Sequence, residues 1–461
     1  MAIIPRPFLF GWKAIETASD MDRLRLVFHV LPDERLVSKL ELARGKGRDD
    51  YPVRPVWNAL IAGIVFNHLS IASLRRELLR NGELRCLCGF DPFLGAEAVP
   101  TDDAFSRFLA LLMEQDVEVV WMFHALVEEL KKVLPDLGEK LAADSKAIAS
   151  FGKPVKAEEK MSEDDRRRDV DANWGVKTYR GKRADGTAWE KVKSWFGYKL
   201  HVLVDSVYEM PLSFMVTKAS EDDMTNLLPL VEDLKENHKE IADGAVEVAA
   251  DKGYDSAENN ASLYDEHGII PVIDNRHLWK DEPGKPRPLN PDRPDVFLYN
   301  ENGAICCQCP SERQGEDETR ELAFVGFEKD RMTLKYRCPA AYYDFECKGR
   351  AECEKLSPIG VGDFGRVVRV PLETDRRIFT PIPRHTLRWE KEYDLRTSVE
   401  RVNSRLDRVL GFELHTTRGI AKMKLRVTLA LVVVLAMALG RIRVGQKEKM
   451  RSMVAPVERA A

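Results

Sequence analysis

Apolar positions recur at helical spacing through the first third of the chain. In VWNALIAGIVFNHL (56–69) they fall three and four residues apart, and IASLRRELLRN (71–81) follows in the same phase. AVPTDDAFSRFLALLMEQDVEVVWMFHALVEELKKVL (98–134) opens at Pro100-Thr101, a helix-start signal. A helical segment over 1–139 is therefore expected. From about Lys140 the pattern changes. KLAADSKAIASF (140–151), GYKLHVLVDS (197–206), MPLSFMVTK (210–218), VEVAADKGY (246–254) and IIPVID (269–274) read as strands. MTNLLPLVEDLKENHKEI (224–241) and SAENNASLYDEHG (256–268) read as helices, the second with Ser256 as N-cap and Gly268 as stop. The charge-dense stretch 153–190 reads as a polar loop. The resulting order, β-β-β-α-β-α-β over 140–274, predicts an α/β fold with a mixed sheet flanked by helices.

The pattern breaks over 275–375. A Pro/Arg/Asp-rich run, DEPGKPRPLNPDRPD, precedes all but two of the cysteines, and the region reads as an insertion. LRWEKEYDLRTSVERVNSRLDRVLG (387–411) then predicts one long amphipathic helix, and KMKLRVTLALVVVLAMALGRIRV (422–444) an apolar one. Residues 376–445 would complete the fold, and 446–461 would form a loose polar tail.

Charge adds a second contrast. The whole chain of 461 residues carries a net charge of −4, yet the part from Arg376 onward holds 19 Lys and Arg against 8 Asp and Glu. That basic quarter is either a footprint for phosphates or a solvated helical face. The longest apolar stretch, Val427 to Leu439, is too short to cross a bilayer and predicts a buried helix, so no membrane partner is expected. The start, MAIIPRPFLFGWKAIE, lacks the pattern of a signal peptide, which points to the cytoplasm. Cysteines in a reducing compartment favour metal over disulfides. Cys306, Cys309, Cys347 and Cys353 are the candidate ligands of a structural Zn²⁺, with Cys338 a competitor. The alternative is a set of thiols in a small β-rich insertion. Cys86 and Cys88 read as structural.

Three acidic residues carry the candidate chemistry. Asp144 stands in LAADSKAIASF, Asp251 in EVAADKGYDSAEN and Glu400 in YDLRTSVERVNSRL. Brought together, such carboxylates hold divalent cations for phosphoryl transfer. Taken singly, each has a plainer reading: a cap or turn for the aspartates, and an i,i+4 ion pair with Arg396 for Glu400. Tyr393, Arg396, Glu400, Asn403 and Asp407 are spaced to share one helical face, suited to DNA phosphate or simply to water. Arg401, Arg405 and Arg408 add positive charge along that helix. Lys199 and His201 fall on one side of their strand as candidate DNA contacts; His201 either approaches a metal site or a phosphate or is a hydrogen-bonded histidine of the sheet. Trp174, Trp189 and Trp195, interleaved with Lys and Arg, either stack on bases or pack locally.

In this order, the stretches around Asp144, GYKLHVLVD with MPLSFMVT, the Asp251-Lys252-Gly253-Tyr254 tetrapeptide and Tyr393-x2-Arg396-x3-Glu400 resemble bacterial insertion-sequence transposases of the DDE class. Residues 51–112 resemble the helical N-terminal domain common in those proteins. The resemblance implies an RNase H-like catalytic core, first part at 140–274, with the helical segment 1–139 binding DNA or dimerising. It implies Asp144, Asp251 and Glu400 as catalytic ligands of Mg²⁺ or Mn²⁺, two per site. It also implies DNA as partner, both terminal inverted repeats and target, held by a homodimer or larger synaptic complex near the nucleoid. The helix of such transposases often bears Lys or Arg seven positions past the Glu; here Asp407 stands there, between Arg405 and Arg408. An RNase H-like nuclease without strand transfer, and a retired DNA-binding protein, are the alternative functions.

Overall fold

The computed structural model describes residues 20–45, 50–154, 169–183, 185–276, 279, 285–292, 297–309, 318–347, 350–351, 353 and 362–457. Seven helices come first: α1 Asp20–Val30, α2 Glu34–Arg44, α3 Val53–Val65, α4 Ile71–Arg80, α5 Gly82–Cys88, α6 Asp102–Met113 and α7 Asp116–Val133. Their starts follow local chemistry. Ser70 caps α4 by accepting from Ser73 N, Asn81 caps α5, and Thr101 caps α6 by accepting from Ala104 N. The 98–134 stretch is thus two helices, parted at Glu114-Gln115.

The main sheet contains β1 Lys140–Ala149, β2 Asn173–Lys182, β3 Ala188–Asp205, β4 Pro211–Lys218, β5 Glu247–Ala250 and β6 Ile270–Ile273. Its order is β2-β3-β1-β5-β6, with β4 also paired to β3. β1 runs antiparallel to β3 and parallel to β5, and β5 is parallel to β6. Between the strands lie α8 Leu227–Asn237, α9 Lys239–Gly244 and α10 Ala257–Asp265, the last capped by Ser256 as expected. The sheet is mixed and flanked by helices, in agreement with the sequence reading. One strand differs. β2 lies in the stretch read as a polar loop, because its side chains are too polar to show a buried face. It forms anyway, paired along its length with the outer half of β3.

The region after β6 builds two small sheets. β7 Arg287–Pro288, β8 Phe297–Tyr299, β9 Ile305–Cys309 and β10 Glu318–Glu321 make the first; β11 Ala323–Glu328, β12 Thr333–Arg337 and β13 Val367–Pro371 make the second, with α11 Pro339–Tyr343 between its last two strands. A separate core under them includes Trp279, Ile305, Leu334, Tyr336, Val370 and Phe379.

The chain closes with α12 Leu387–Asp394, α13 Thr397–Arg408 and α14 Ile420–Arg443. The single helix expected over 387–411 is therefore two, broken at Leu395-Arg396. α14 is apolar on every side because it is buried on every side: Val427 to Arg441 are all inaccessible. It packs on α7, α1, α3 and β4, so the first helices, the main sheet and α14 share one hydrophobic core. Among the described residues it is the one helix long and apolar enough to span a membrane, and it spends that surface inside the protein.

The expected loose tail is instead packed. Arg441 is fully buried and donates to Ser452 O and Ala455 O, Arg23 donates to Met453 O, and Met450, Met453 and Val457 are buried. Several cations of the basic C-terminal quarter are paired with acids from earlier in the chain. Arg376 pairs with Asp265, Arg377 with Asp255, and Arg443 with Glu129. Glu209, at the β3–β4 turn, takes three more: Arg401 at 2.6 Å, Arg405 at 2.5 Å and Arg451 at 3.3 Å. Burial would push the Glu209 carboxyl up, but Arg401 and Arg405 outweigh it and hold it below the usual range. Its backbone sits at φ 58°, a left-handed conformation that costs a non-glycine residue about 1–2 kcal/mol. Charge pairing therefore fixes a turn that backbone preference opposes. Glu209→Ala should lower stability by about 1–3 kcal/mol, since it leaves the largely buried Arg405 without its carboxylate. Urea unfolding measures this, and a loss below about 1 kcal/mol would show that the hub is only a surface feature.

Candidate active site

The site begins with strand register. β1 and β5 lie side by side and parallel with Ala143 opposite Ala250, so the next residue on each is a carboxylate, Asp144 and Asp251. Leu141, Ala142 and Ala143 on one strand and Val248, Ala249 and Ala250 on the other are buried, which anchors the pair from below. Asp251 then ends its strand. Its Oδ1 accepts from Gly253 N at 2.7 Å, capping the short turn Lys252–Tyr254. A side chain at 253 would collide, because its Cβ would lie 2.6 Å from Asp251 Oδ1 and 3.5 Å from Asp223 Oδ2. A third carboxylate, Asp223, thus faces the same glycine. Asp223 also binds Lys199 Nζ at 2.8 Å. Nothing in the sequence around SEDDM marks it; only the fold brings it beside Asp251.

Two influences raise the Asp144 carboxyl to about 6: burial first, then the negative charge of Asp251. Lys177 and Arg396 oppose them. Asp144 also accepts from Asn403 Nδ2 at 3.2 Å. Asn403 belongs to α13, which lies along β1, and one turn further Asp407 pairs with Lys146. Four residues of helix rise about 6 Å and two of strand about 6.6 Å, so the two interactions keep step. The acid at the position where a base was expected is therefore neutralised by Lys146, a buried lysine from β1.

Glu400 sits on α13 but is exposed. Its Oε1 accepts from Arg396 Nη1 at 2.7 Å, the i,i+4 pair that its spacing allowed. Arg396 precedes α13 at the helix break, lies over the Tyr393 ring at 5.6 Å and contributes positive charge at Asp144. It stands electrostatically between Glu400 and the aspartates. Among the described residues, no three His, Cys, Asp or Glu side chains stand together at metal-ligating distance.

The other expected site residues divide. Tyr393 lies on α12, so it does not share a helical face with Glu400, Asn403 and Asp407. It stacks on Trp389 with centroids 4.6 Å apart and packs with Ala249, Val272 and Ile382, and burial lifts its phenol to about 12. Arg401 and Arg405 are committed to Glu209, while Arg408 is exposed. His201 pairs across the sheet with Ser145, so alternation turns it to the face opposite Asp144. It is buried, its Nε2 lies 3.0 Å from Thr217 Oγ1, and burial lowers it to about 4, leaving it neutral near pH 7. Cys306 is buried in β9 and burial pushes its thiol up to about 11; the side chain of Cys309 lies outside the described residues.

Asp251 opens into a groove of about 970 Å³. Lys146, Lys177, Lys193, Lys199, Lys252 and Arg276 line it, with Asp222, Asp223, Asp407 and Glu413. Lys177 and Lys193 are direct cross-strand partners on the β2–β3 hairpin. Like charges so placed destabilise a hairpin. Beside them Trp174, Val176 and Val192 are exposed, and Trp189 partly so, whereas Trp195 packs locally and donates to Tyr198 O.

Residues 153–339 match the family model described as the transposase DDE domain. The resemblance to DDE transposases read from the sequence is thereby shown; the matched span contains Asp251, with Asp144 before it and Glu400 after it. Among solved structures, the piggyBac transposase in a cryo-EM synaptic complex with hairpin DNA aligns at 12% identity and a TM-score of 0.35, covering 95% of this chain and 79% of that one. At that score the likeness carries no argument about this site. No curated protein matches the chain.

The raised Asp144 carboxyl, the product of burial and of the Asp251 charge, has a measurable consequence. Asp144 is raised from 3.8 to about 6 in the folded chain, so its ionisation costs the native state stability as pH rises between those values. Asp144→Asn should therefore melt higher than the wild type at pH 7 in metal-free buffer, with the gain vanishing near pH 4. Thermal unfolding across that range checks this; identical melting at every pH would refute the raised Asp144 carboxyl.

Proposed function

We propose that this protein is a DNA transposase that cuts and joins strands at the ends of an insertion element, with Asp144, Asp251 and Glu400 as its acidic residues. The observation that carries the reading is the juxtaposition of Asp144 and Asp251 at matching positions of the parallel neighbours β1 and β5, with Asp251 opening into a lysine-lined groove. The strand order, antiparallel β4-β3-β1 continued by parallel β5-β6, supports an RNase H-like core.

The donor set fits a hard divalent cation. Asp144 and Asp251 present oxygen ligands, and their mutual repulsion is the kind a cation relieves. Mg²⁺ or Mn²⁺ bound there would neutralise phosphodiester charge and activate the attacking water or 3′-hydroxyl. The chain's own residues do the rest. Asn403 orients Asp144, and the Lys146–Asp407 pair keeps α13 in register with β1. A phosphate seated between the cross-strand partners Lys177 and Lys193 would turn their repulsion into attraction. A phosphate that engages Arg396 in bidentate fashion releases Glu400 toward the aspartates, so DNA itself completes the acidic set.

Linear DNA carrying the element's terminal inverted repeats, with Mg²⁺, tests the reading. Wild-type chain should nick the ends and join them to a target plasmid, while Asp144→Asn, Asp251→Asn and Glu400→Gln should each fall to background. Cleavage by any of these at the wild-type rate would remove that residue from the site. Cleavage without joined product would identify a nuclease instead. Replacing Lys177 and Lys193 by Ala should weaken DNA binding and reduce the salt slope by about 1 for each phosphate that is no longer neutralised. An unchanged salt slope would count against the groove as the DNA path.

A further inference from the structure

Four cysteines distant in sequence converge on one cavity of the inserted region. Cys307 comes from β9, Cys338 from the residue preceding α11, and Cys347 and Cys353 from the chain beyond that helix; together they line a space of about 230 Å³. All four are thiols rather than disulfides. Cys306 is not among them. Alternation along β9 turns it to the other side, where Asn300 Nδ2 lies 3.8 Å from its Sγ.

The backbone around the cavity is arranged for this convergence. Gly365 has φ +66°, and a Cβ there would lie 2.5 Å from Cys338 Cβ and 3.2 Å from Cys338 Sγ, so the chain passes the thiol at a distance only glycine permits. Cys338 N donates to Arg366 O at 2.8 Å, Arg350 N to Cys347 O at 3.1 Å, and Arg366 Nη2 to Cys353 O at 3.2 Å. Hydrophobic burial does not hold this stretch. Tyr342, Tyr343, Phe345 and Phe364 are 45%, 66%, 44% and 69% exposed, while the core of the small sheets reaches only to Tyr336 before them and Val368 after them. Among the described residues of the segment these half-exposed aromatics contribute little of the burial that offsets ordering the chain.

We propose that Cys307, Cys338, Cys347 and Cys353 bind one Zn²⁺ as a tetrahedral structural site that fastens the segment from Cys338 to Arg366 onto the inserted sheets. The set shares Cys347 and Cys353 with the one suggested by sequence spacing and differs in Cys307 and Cys338. Each thiol gives its proton to solvent on binding, and the four thiolates complete the coordination. No three of these side chains stand at ligating distance among the described residues, so metal binding draws them in. The site is separate from the acidic residues and takes no part in strand cleavage.

Full-length chain, purified without chelator, should contain one zinc per chain by elemental analysis. Chelator-stripped wild type reloaded with Co²⁺ should show the thiolate charge-transfer and d–d absorption of a tetrahedral sulfur site. Cys307→Ser, Cys338→Ser, Cys347→Ser and Cys353→Ser should each lower zinc content and open the segment to limited proteolysis, whereas Cys306→Ser and Cys86→Ser should retain the metal. Wild-type chain that holds no zinc and gives no cobalt–thiolate spectrum overturns the proposal, independently of how any variant folds. So does loss of metal in Cys306→Ser or Cys309→Ser with full retention in Cys307→Ser.

Discussion

The parallel pairing of β1 with β5 is the constraint on which the site depends. Antiparallel neighbours joined by a tight turn come from one stretch of chain, but parallel neighbours need a long crossover. Here the crossover spans β2, β3, β4, α8 and α9, and its end returns beside Lys140. The register then leaves no choice: with Ala143 opposite Ala250, two aspartates meet at the next step. Small buried residues below them and a glycine after Asp251 let the backbones come close. Burial makes the resulting repulsion consequential, which is why Asp144 holds its proton to about 6.

α13 depends on the same strand. Asn403 and Asp407 reach Asp144 and Lys146 from one helical face, and Arg401 and Arg405 clamp the opposite flank to Glu209. α12 is held separately: Lys140 pairs with Glu247 of β5 and with Glu392 of α12, while Trp389 and Tyr393 cover β5 and β6. The break between these helices places Arg396 at the junction. One arginine thus touches Tyr393 and Glu400 and is felt at Asp144, which couples the last acid to the first two through charge rather than direct bonding.

Much of this structure is legible in the sequence where local chemistry governs. Ser256 and Thr101 cap the helices that their positions predict, the apolar run of α14 is buried, and the strands that lead to Asp144 and Asp251 stand where the apolar runs put them. The departures share one cause. β2 has no apolar face to betray it, since it is stabilised by pairing with the equally polar half of β3. The stretch 387–411 keeps its period across the break at Arg396, so periodicity cannot show that Tyr393 and Glu400 part company. The basic excess after Arg376 resembles a DNA footprint because Glu209, Asp255, Asp265 and Glu129, which absorb much of it, lie more than a hundred residues earlier.

The sequence by itself determined the helices and most strands, the acidic residues and the likeness to DDE transposases, because caps, periods and motifs are written within a dozen residues. Only the tertiary structure decided which charges meet. It set Asp144 against Asp251 and brought Asp223 beside them. It gave Lys146 to Asp407, turned His201 away, and set Arg401 and Arg405 on Glu209. Those outcomes depend on register and on packing across the whole chain, and Coulomb interactions follow distance in space, which residue spacing does not encode.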